Sequence, residues 1–407
     1  MATDTGGWNT TTNRKLTRHL SKDPRLRLRA FVPRNTRKWR ELASNIQFLE
    51  DANLPGNSPM ELLEYSSDAL QHVDFLIMHC YSRELEQLAE KFCKTKKCKW
   101  IYVVHRDWGD FVKFFEEEGV SLVGRESDHH AERQRQIELC KMADLVLTIG
   151  PKIADSFKNT LQSCGKDTSV ISIVPGIVSK LNNAPKIHQD AEDRDKFYVL
   201  VAAEYPYLAP YFNVRGGDIA VKAITLLQDV SYHVIFAMKS KYGVSKLTED
   251  LGHAGMQLNQ FTIKSIANDS PESFATVTDE LDLLVLPSRV EGFGMSGLYA
   301  ISANFPVLVS GNSGLGIALK KLPSGGKHVV DSEDPQVWAE KIKEVREKGH
   351  KTVAQEAEQL REEYMKEFSW EKQCRKLVEK MMSKNPQNGL YLTVKRNEYC
   401  FPTITCT

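Results

Sequence analysis

Short apolar runs that stop at a turn residue, each followed by an amphipathic stretch, recur along this 407-residue chain. DLVLTIG before PKIADSFKNTLQSCG is one such unit, and FYVLVAA, DIAVKAITLL and YHVIFAM belong to a later series. A strand covered on both faces reads as a continuous apolar run, which is the mark of a parallel sheet between layers of helices. The alternation therefore predicts an α/β chain with parallel sheets and crossover helices. The scheme runs through twice, with a polar, weakly patterned stretch between, and the length alone favours two domains. The expected division is a Rossmann-like unit over 1–176, a linker over 177–196, a second Rossmann-like unit over 197–368, a closing helix over 369–383 and a tail over 384–407. The tail is assigned because KNPQNGLYLTVKRNEYCFPTITCT loses helical periodicity.

Composition narrows the class. Apolar residues make up 41% and charged residues 26%, the balance of a water-soluble globular protein. No apolar run approaches the ~18 residues of a bilayer span, and MATDTGGWNTTTNR has no apolar signal core. A cytoplasmic location is expected. Net charge is only +1, yet residues 1–40 hold eleven Lys or Arg against Asp4 and Asp23. Such a segment suits a solvated face or peripheral contact with an anionic membrane. No nucleic-acid module accompanies it, so nucleic acid is not an expected partner. The cysteines at 80, 93, 98, 140, 164, 374, 400 and 406 form no C-x-x-C pair, and no metal site is expected. They read as free thiols of a reducing compartment.

The densest chemical signal is PSRVEGFGMSGLYAISANFPVLVSG, residues 287–311. The strand DLLVLPS gives way to EGFG, and a helix opens at MSGLYAISA. Free backbone N–H groups at that helix start, approached closely because of Gly292 and Gly294, would cradle a phosphate or diphosphate. The same turn also serves packing alone. Asn304 suits a left-handed helix stop, and Pro306 prevents continuation. A nicotinamide dinucleotide is disfavoured, because no G-x-G-x-x-G follows a first strand with an acid about twenty residues on.

PSRVEGFG…P-V-L-V-S resembles the donor-site signature of retaining, nucleotide-sugar-dependent glycosyltransferases of family 4, the group 1 glycosyltransferase domain. The likeness extends to GGWNTTTNRKLTRHL, WIYVVHRD, VRGGDIAVKAITLL and FSWEKQCRKLVEKM, and so spans most of the chain. It implies the GT-B fold, in which two Rossmann-like domains face each other across a cleft. It also makes the first domain the acceptor side and the closing helix a crossing back onto it. Similar modules occur inside larger animal proteins. Carried over by position, the resemblance implies that Glu291 contacts the donor sugar and that the backbone of Gly292, Phe293, Gly294 and Met295 receives sugar and diphosphate. Arg215 stands where the family has a lysine that neutralises the departing diphosphate, and His105 lies across the cleft. By the same resemblance Gly6 and Gly7 would let the first loop approach the diphosphate. The expected donor is a UDP-, GDP- or ADP-sugar, no metal or cofactor is expected, and the acceptor is unspecified. Taken alone, His105 is equally a packed histidine, Arg215 a surface cation and Glu291 a first-turn acid. His79 also ends a strand, and the pair His129-His130 reads as solvent-facing.

Several positions depart from the family pattern. The second glutamate that grips the ribose is Tyr299 here, and a phenol cannot accept two hydrogen bonds as an anion. Glu204 falls near the place of a phosphate-binding arginine, with Lys239 or Lys241 as candidate replacements for the lost charge. The strand expected before GGWNTT cannot be built from MATDT. The alternative function is a catalytically impaired module that binds nucleotide, glycan or protein within a larger assembly.

Overall fold

The computed structural model describes residues 8–31, 46–49, 72–79, 83–119, 129–178, 181, 195–202, 209–238, 244–265, 281–385 and 390–395. Helix α1 (Trp8–Leu20) precedes strands β1 (Leu26–Phe31), β2 (Ile46–Leu49) and β3 (Phe75–Met78). Then come α2 (Arg83–Lys96), β4 (Lys99–Val104), α3 (Trp108–Glu117), α4 (His129–Met142), β5 (Leu145–Ile149), α5 (Pro151–Gln162) and β6 (Val170–Ile173). The second series runs β7 (Phe197–Ala202), α6 (Ala209–Val214), α7 (Gly217–Leu226), β8 (Tyr232–Met238), α8 (Val244–His253), β9 (Phe261–Ser265) and β10 (Leu283–Leu286). It continues with α9 (Met295–Ser302), β11 (Val307–Ser310), α10 (Gly314–Leu319) and β12 (Val329–Val330). Three helices, α11 (Pro335–Glu347), α12 (His350–Glu367) and α13 (Trp370–Lys384), lead to a last strand, β13 (Leu390–Lys395).

Among the described residues all pairings are parallel, in two sheets ordered β2-β1-β13-β3-β4-β5-β6 and β12-β11-β10-β7-β8-β9. The expected α/β architecture of two Rossmann-like units is present. The second sheet follows the doubly wound order 3-2-1-4-5-6, with β7 as its first strand. The first sheet follows the same order only if β13 is counted as its first strand. This corrects the expected tail over 384–407: residues 390–395 lie between β1 and β3, with Leu392 in register with Leu28 on one side and Phe75 on the other. The strand expected ahead of α1 is thus supplied from after α13. In such sheets ligands bind beyond the carboxyl ends of the strands where the order reverses. Those points are β13/β3 in one sheet and β7/β10 in the other, which puts His79 and the 287–294 turn at the two mouths.

Local chemistry explains the element ends. Asn304 takes the left-handed conformation (φ 55°) that stops α9. The break between α12 and α13 falls at Ser369, whose hydroxyl accepts from the Lys372 N–H. The last helix ties the two units together. Gln373 on α13 accepts from the Val174 N–H after β6 at 3.2 Å, and Asn385 donates to Asp74 at 2.8 Å. Leu16 and Leu20 of α1, Phe75 and Ile101 of the first sheet, Leu298 of α9 and Leu377 of α13 belong to one buried cluster. The start of the expected linker is packed rather than solvated. Val178 and Leu181 are buried, and the Val178 N–H donates to Ser302 Oγ at 3.0 Å. Among the described residues no helix is long and apolar enough to cross a membrane.

Candidate active site

Two motifs 76 residues apart meet at one ion pair, in which Arg215 Nη1 donates to Glu291 Oε2. Their backbones are clamped from both sides. The N–H groups of Arg289 and Val290 both donate to the Val214 carbonyl, at 3.0 and 3.2 Å. Arg289 also forks onto Asp218 at 2.6 and 2.9 Å and reaches the Asn213 carbonyl at 2.8 Å. Gly216 has φ 69°, and a Cβ there would fall 2.0 Å from the Pro287 carbonyl oxygen. Only glycine lets the VRGG loop approach the end of β10 this closely. Asp218 and Arg289 are therefore the positioning residues, and Arg215 and Glu291 the pair they hold. Both members remain partly exposed, with side chains at 20% and 23%.

Next to this pair, α9 begins at Gly294 (φ 104°) with no side-chain hydrogen bond capping it. The first N–H groups of a helix have no intrahelical acceptor, so this start is a ready anion site. Gly292 faces the first unit: a Cβ added there would lie 3.0 Å from the His105 carbonyl oxygen and 3.1 Å from Ile153. Phe293 and Met295 are buried, and the Phe293 ring occupies the space where Gly150 lacks a side chain. Phe293 thus contributes packing between the units as well as backbone. Behind the turn, Ser313 bridges to Glu291, the Gly314 N–H donates to the Gly292 carbonyl at 3.1 Å and the Leu315 N–H to that of Phe293 at 2.6 Å. Tyr299 lies on α9 within the buried core and is only 2% exposed.

His105 meets Gly292 through its backbone carbonyl, while its ring is buried. His79 Nδ1 and His105 Nε2 are 2.6 Å apart, with the rings stacked at 4.8 Å. Burial pushes His79 down to about 3, and burial with the neighbouring His79 and Arg106 pushes His105 well below its usual range. Both rings are therefore neutral near pH 7. The unfolded chain takes up protons at these histidines near pH 6.5 while the folded pair refuses them, so stability declines as pH falls below about 6.5. By pH 5 the His79 contribution to that loss is roughly 2 kcal/mol. Urea melts at pH 7 and pH 5 are expected to show a smaller difference in His79→Asn than in wild type. Comparing the two proteins is needed because burial also lowers His19, His233 and His328.

The loop after β4 is fixed by Asp107, which accepts from the Gly109 N–H at 2.8 Å, from Arg133 at 2.6 Å and from Ser156. Gln136 donates to the Arg106 carbonyl at 2.7 Å. Lys152 bridges the units. Its Nζ lies 2.8 Å from Asp110 and donates to the Asn312 carbonyl at 2.9 Å, and Asn312 donates to the Arg289 carbonyl at 2.9 Å. Nothing in the sequence separates Lys152 from a surface lysine; its meaning comes from the opposite unit. Lys152→Met is expected to cost about 1–2 kcal/mol and to speed hydrogen exchange at the amides of residues 312–315.

Of the other expected residues, His129 is buried rather than solvent-facing, with its ring among Trp108, Phe111 and Phe115. It caps the apolar face of α3. Gly6, Gly7, Glu204, Lys239 and Lys241 lie outside the described residues. Among the described residues no three His, Cys, Asp or Glu are grouped to hold a metal ion.

A family model described as "Family 4 Glycosyltransferase in conflict systems" matches residues 2–377. The chain belongs to this family. As a family-4 member it is similar to the D-inositol 3-phosphate glycosyltransferase of Corynebacterium urealyticum, at 26% identity over 33% of this chain and 30% of that protein. It is also similar to an uncharacterised glycosyltransferase of Methanocaldococcus jannaschii, at 28% identity over 39% of this chain and 43% of that one. The chain thus spans less than half the length of these curated relatives. The relatives named are bacterial and archaeal, and the expected likeness to animal modules gains no support from them. Among solved structures, Anabaena HepE in complex with UDP and glucose aligns with a TM-score of 0.62 at 13% identity, over 93% of this chain and 96% of that one. The sucrose-phosphate synthase of Thermosynechococcus elongatus aligns with 0.63 at 14% identity, over 93% and 94%. At these identities the structural likeness establishes the GT-B fold.

Proposed function

We propose that this family-4 chain is a glycosyltransferase that moves a hexosyl-type sugar from a nucleotide diphosphate sugar to an acceptor, with retention at the anomeric carbon. The observation that carries the reading is the meeting of Arg215 and Glu291 beside the uncapped start of α9. Departure of a nucleoside diphosphate is chiefly an electrostatic problem. Arg215 would offer a fork to the diphosphate, and the Gly294–Met295 amides would take its remaining oxygens. Glu291 would then exchange its arginine for the sugar hydroxyls. No metal is assigned a role. UDP is the first nucleotide to test, since UDP and glucose accompany the structurally similar HepE. A cytoplasmic location is part of the same reading. Peripheral contact of the basic N-terminal segment with anionic lipid is part of the same reading, and co-sedimentation with phosphatidylserine vesicles tests it.

Tyr299 favours one competing reading, an impaired module that binds nucleotide, glycan or protein without turnover. It offers no anionic ribose acceptor and is buried. Calorimetry with UDP, GDP, ADP and their sugars, paired with an assay for sugar-nucleotide hydrolysis, separates the two. Binding with hydrolysis supports the enzyme; binding alone supports the impaired module. Absence of binding at millimolar ligand sinks the transferase.

A further inference from the structure

Cys93 and Cys98 take no part in the candidate site, yet the fold presses them together. Helix α2 ends in a Schellman motif. Lys97 adopts the left-handed conformation (φ 53°), and the Cys98 N–H donates back to the Cys93 carbonyl at 3.1 Å. In this motif the residue two beyond the helix end packs on the side chain of the third residue from its end. Those two positions are Cys98 and Cys93. Their sulfurs lie 3.5 Å apart, with Cys98 buried and Cys93 half-buried. A helix stop usually places two aliphatic groups here; this one places two thiols.

We propose that Cys93 and Cys98 form a reversible dithiol–disulfide site that is oxidised by hydroperoxides in the folded protein. The Cys93 thiolate, on the more open side, attacks a peroxide oxygen; the O–O bond breaks, hydroxide leaves and a sulfenic acid remains. The Cys98 thiol then displaces the sulfenic hydroxyl. The S–S bond forms, and the thiol proton leaves with that hydroxyl as water. Both thiols are oxidised together by two electrons, and the peroxide is reduced. The backbone hydrogen bond that ends α2 already brings the sulfurs into contact, so the two thiols start within reach of each other. The bond would staple the end of α2 to the start of β4, whose far end leads to His105.

The sequence between them, Lys94-Thr95-Lys96-Lys97, supplies the readout. Trypsin separates the two cysteines unless they are bonded to each other. Native protein is treated with hydrogen peroxide, blocked with iodoacetamide, digested and read by mass spectrometry. The expected result is a linked pair of peptides carrying Cys93 and Cys98, lost on treatment with dithiothreitol and absent from Cys93→Ser and Cys98→Ser. Circular dichroism should be unchanged by oxidation. Two results would overturn the proposal: both thiols still fully alkylated after peroxide, or a link that forms only once urea has unfolded the chain.

Discussion

Replacing Leu392 by proline is expected to destabilise the protein by at least about 1–3 kcal/mol, the cost of leaving a buried ladder acceptor without its donor. Position 392 is the middle of β13, with β1 on one side and β3 on the other. A proline there removes a ladder N–H from a central strand, and its ring has no room between two paired neighbours. The helices of the first unit pack across that sheet, so the loss spreads beyond one hydrogen bond. Deletion of residues 386–407 removes the strand altogether and leaves β1 and β3 with facing unpaired edges, a state prone to association. Urea melts followed by circular dichroism check the first variant, and size-exclusion chromatography checks the second. An unchanged midpoint for Leu392→Pro would remove β13 from the sheet.

Arg215→Ala is expected to lower sugar transfer, or hydrolysis of the sugar nucleotide, by roughly 100- to 1,000-fold, the usual effect of removing one positioned charge from a developing anion. Arg215→Lys should recover only part of the loss, since lysine keeps the charge but not the fork. Stability should change by no more than about 1 kcal/mol, because Arg215 and Glu291 are both partly solvated. Glu291→Gln tests the other partner. If Arg215 serves only to neutralise Glu291, then Arg215→Ala combined with Glu291→Gln should restore turnover. If Arg215 meets the diphosphate, the double variant should be no better than the single one. Steady-state kinetics on the four proteins distinguishes these outcomes.

The readable parts of this chain were those whose signal is local. Apolar runs such as DLVLTIG and DLLVLPS fall at β5 and β10, and Asn304 and Ser369 mark helix ends where the backbone needs them. EGFG and VRGGD carried the candidate site because glycine spacing records where backbones must approach closely. What escaped was non-local. LYLTVK alternates apolar and polar residues as a strand does, yet its partners in β1 and β3 lie 364 and 317 positions earlier. Strand pairing across such a separation leaves no trace in the periodicity of either segment. His105 was found as a residue at a strand end, but the direction of its ring depends on His79 from the neighbouring strand.

By itself the sequence determined the α/β class, the two units, the glycine turns and the residue types of the candidate site. These follow from hydrophobic periodicity and backbone stereochemistry, which act over a few residues. Only the tertiary structure decided that β13 completes the first sheet, that Arg215 meets Glu291, that Lys152 joins the units and that Tyr299 faces the core. Each of those depends on which surfaces are buried together, and burial is a property of the whole packed chain.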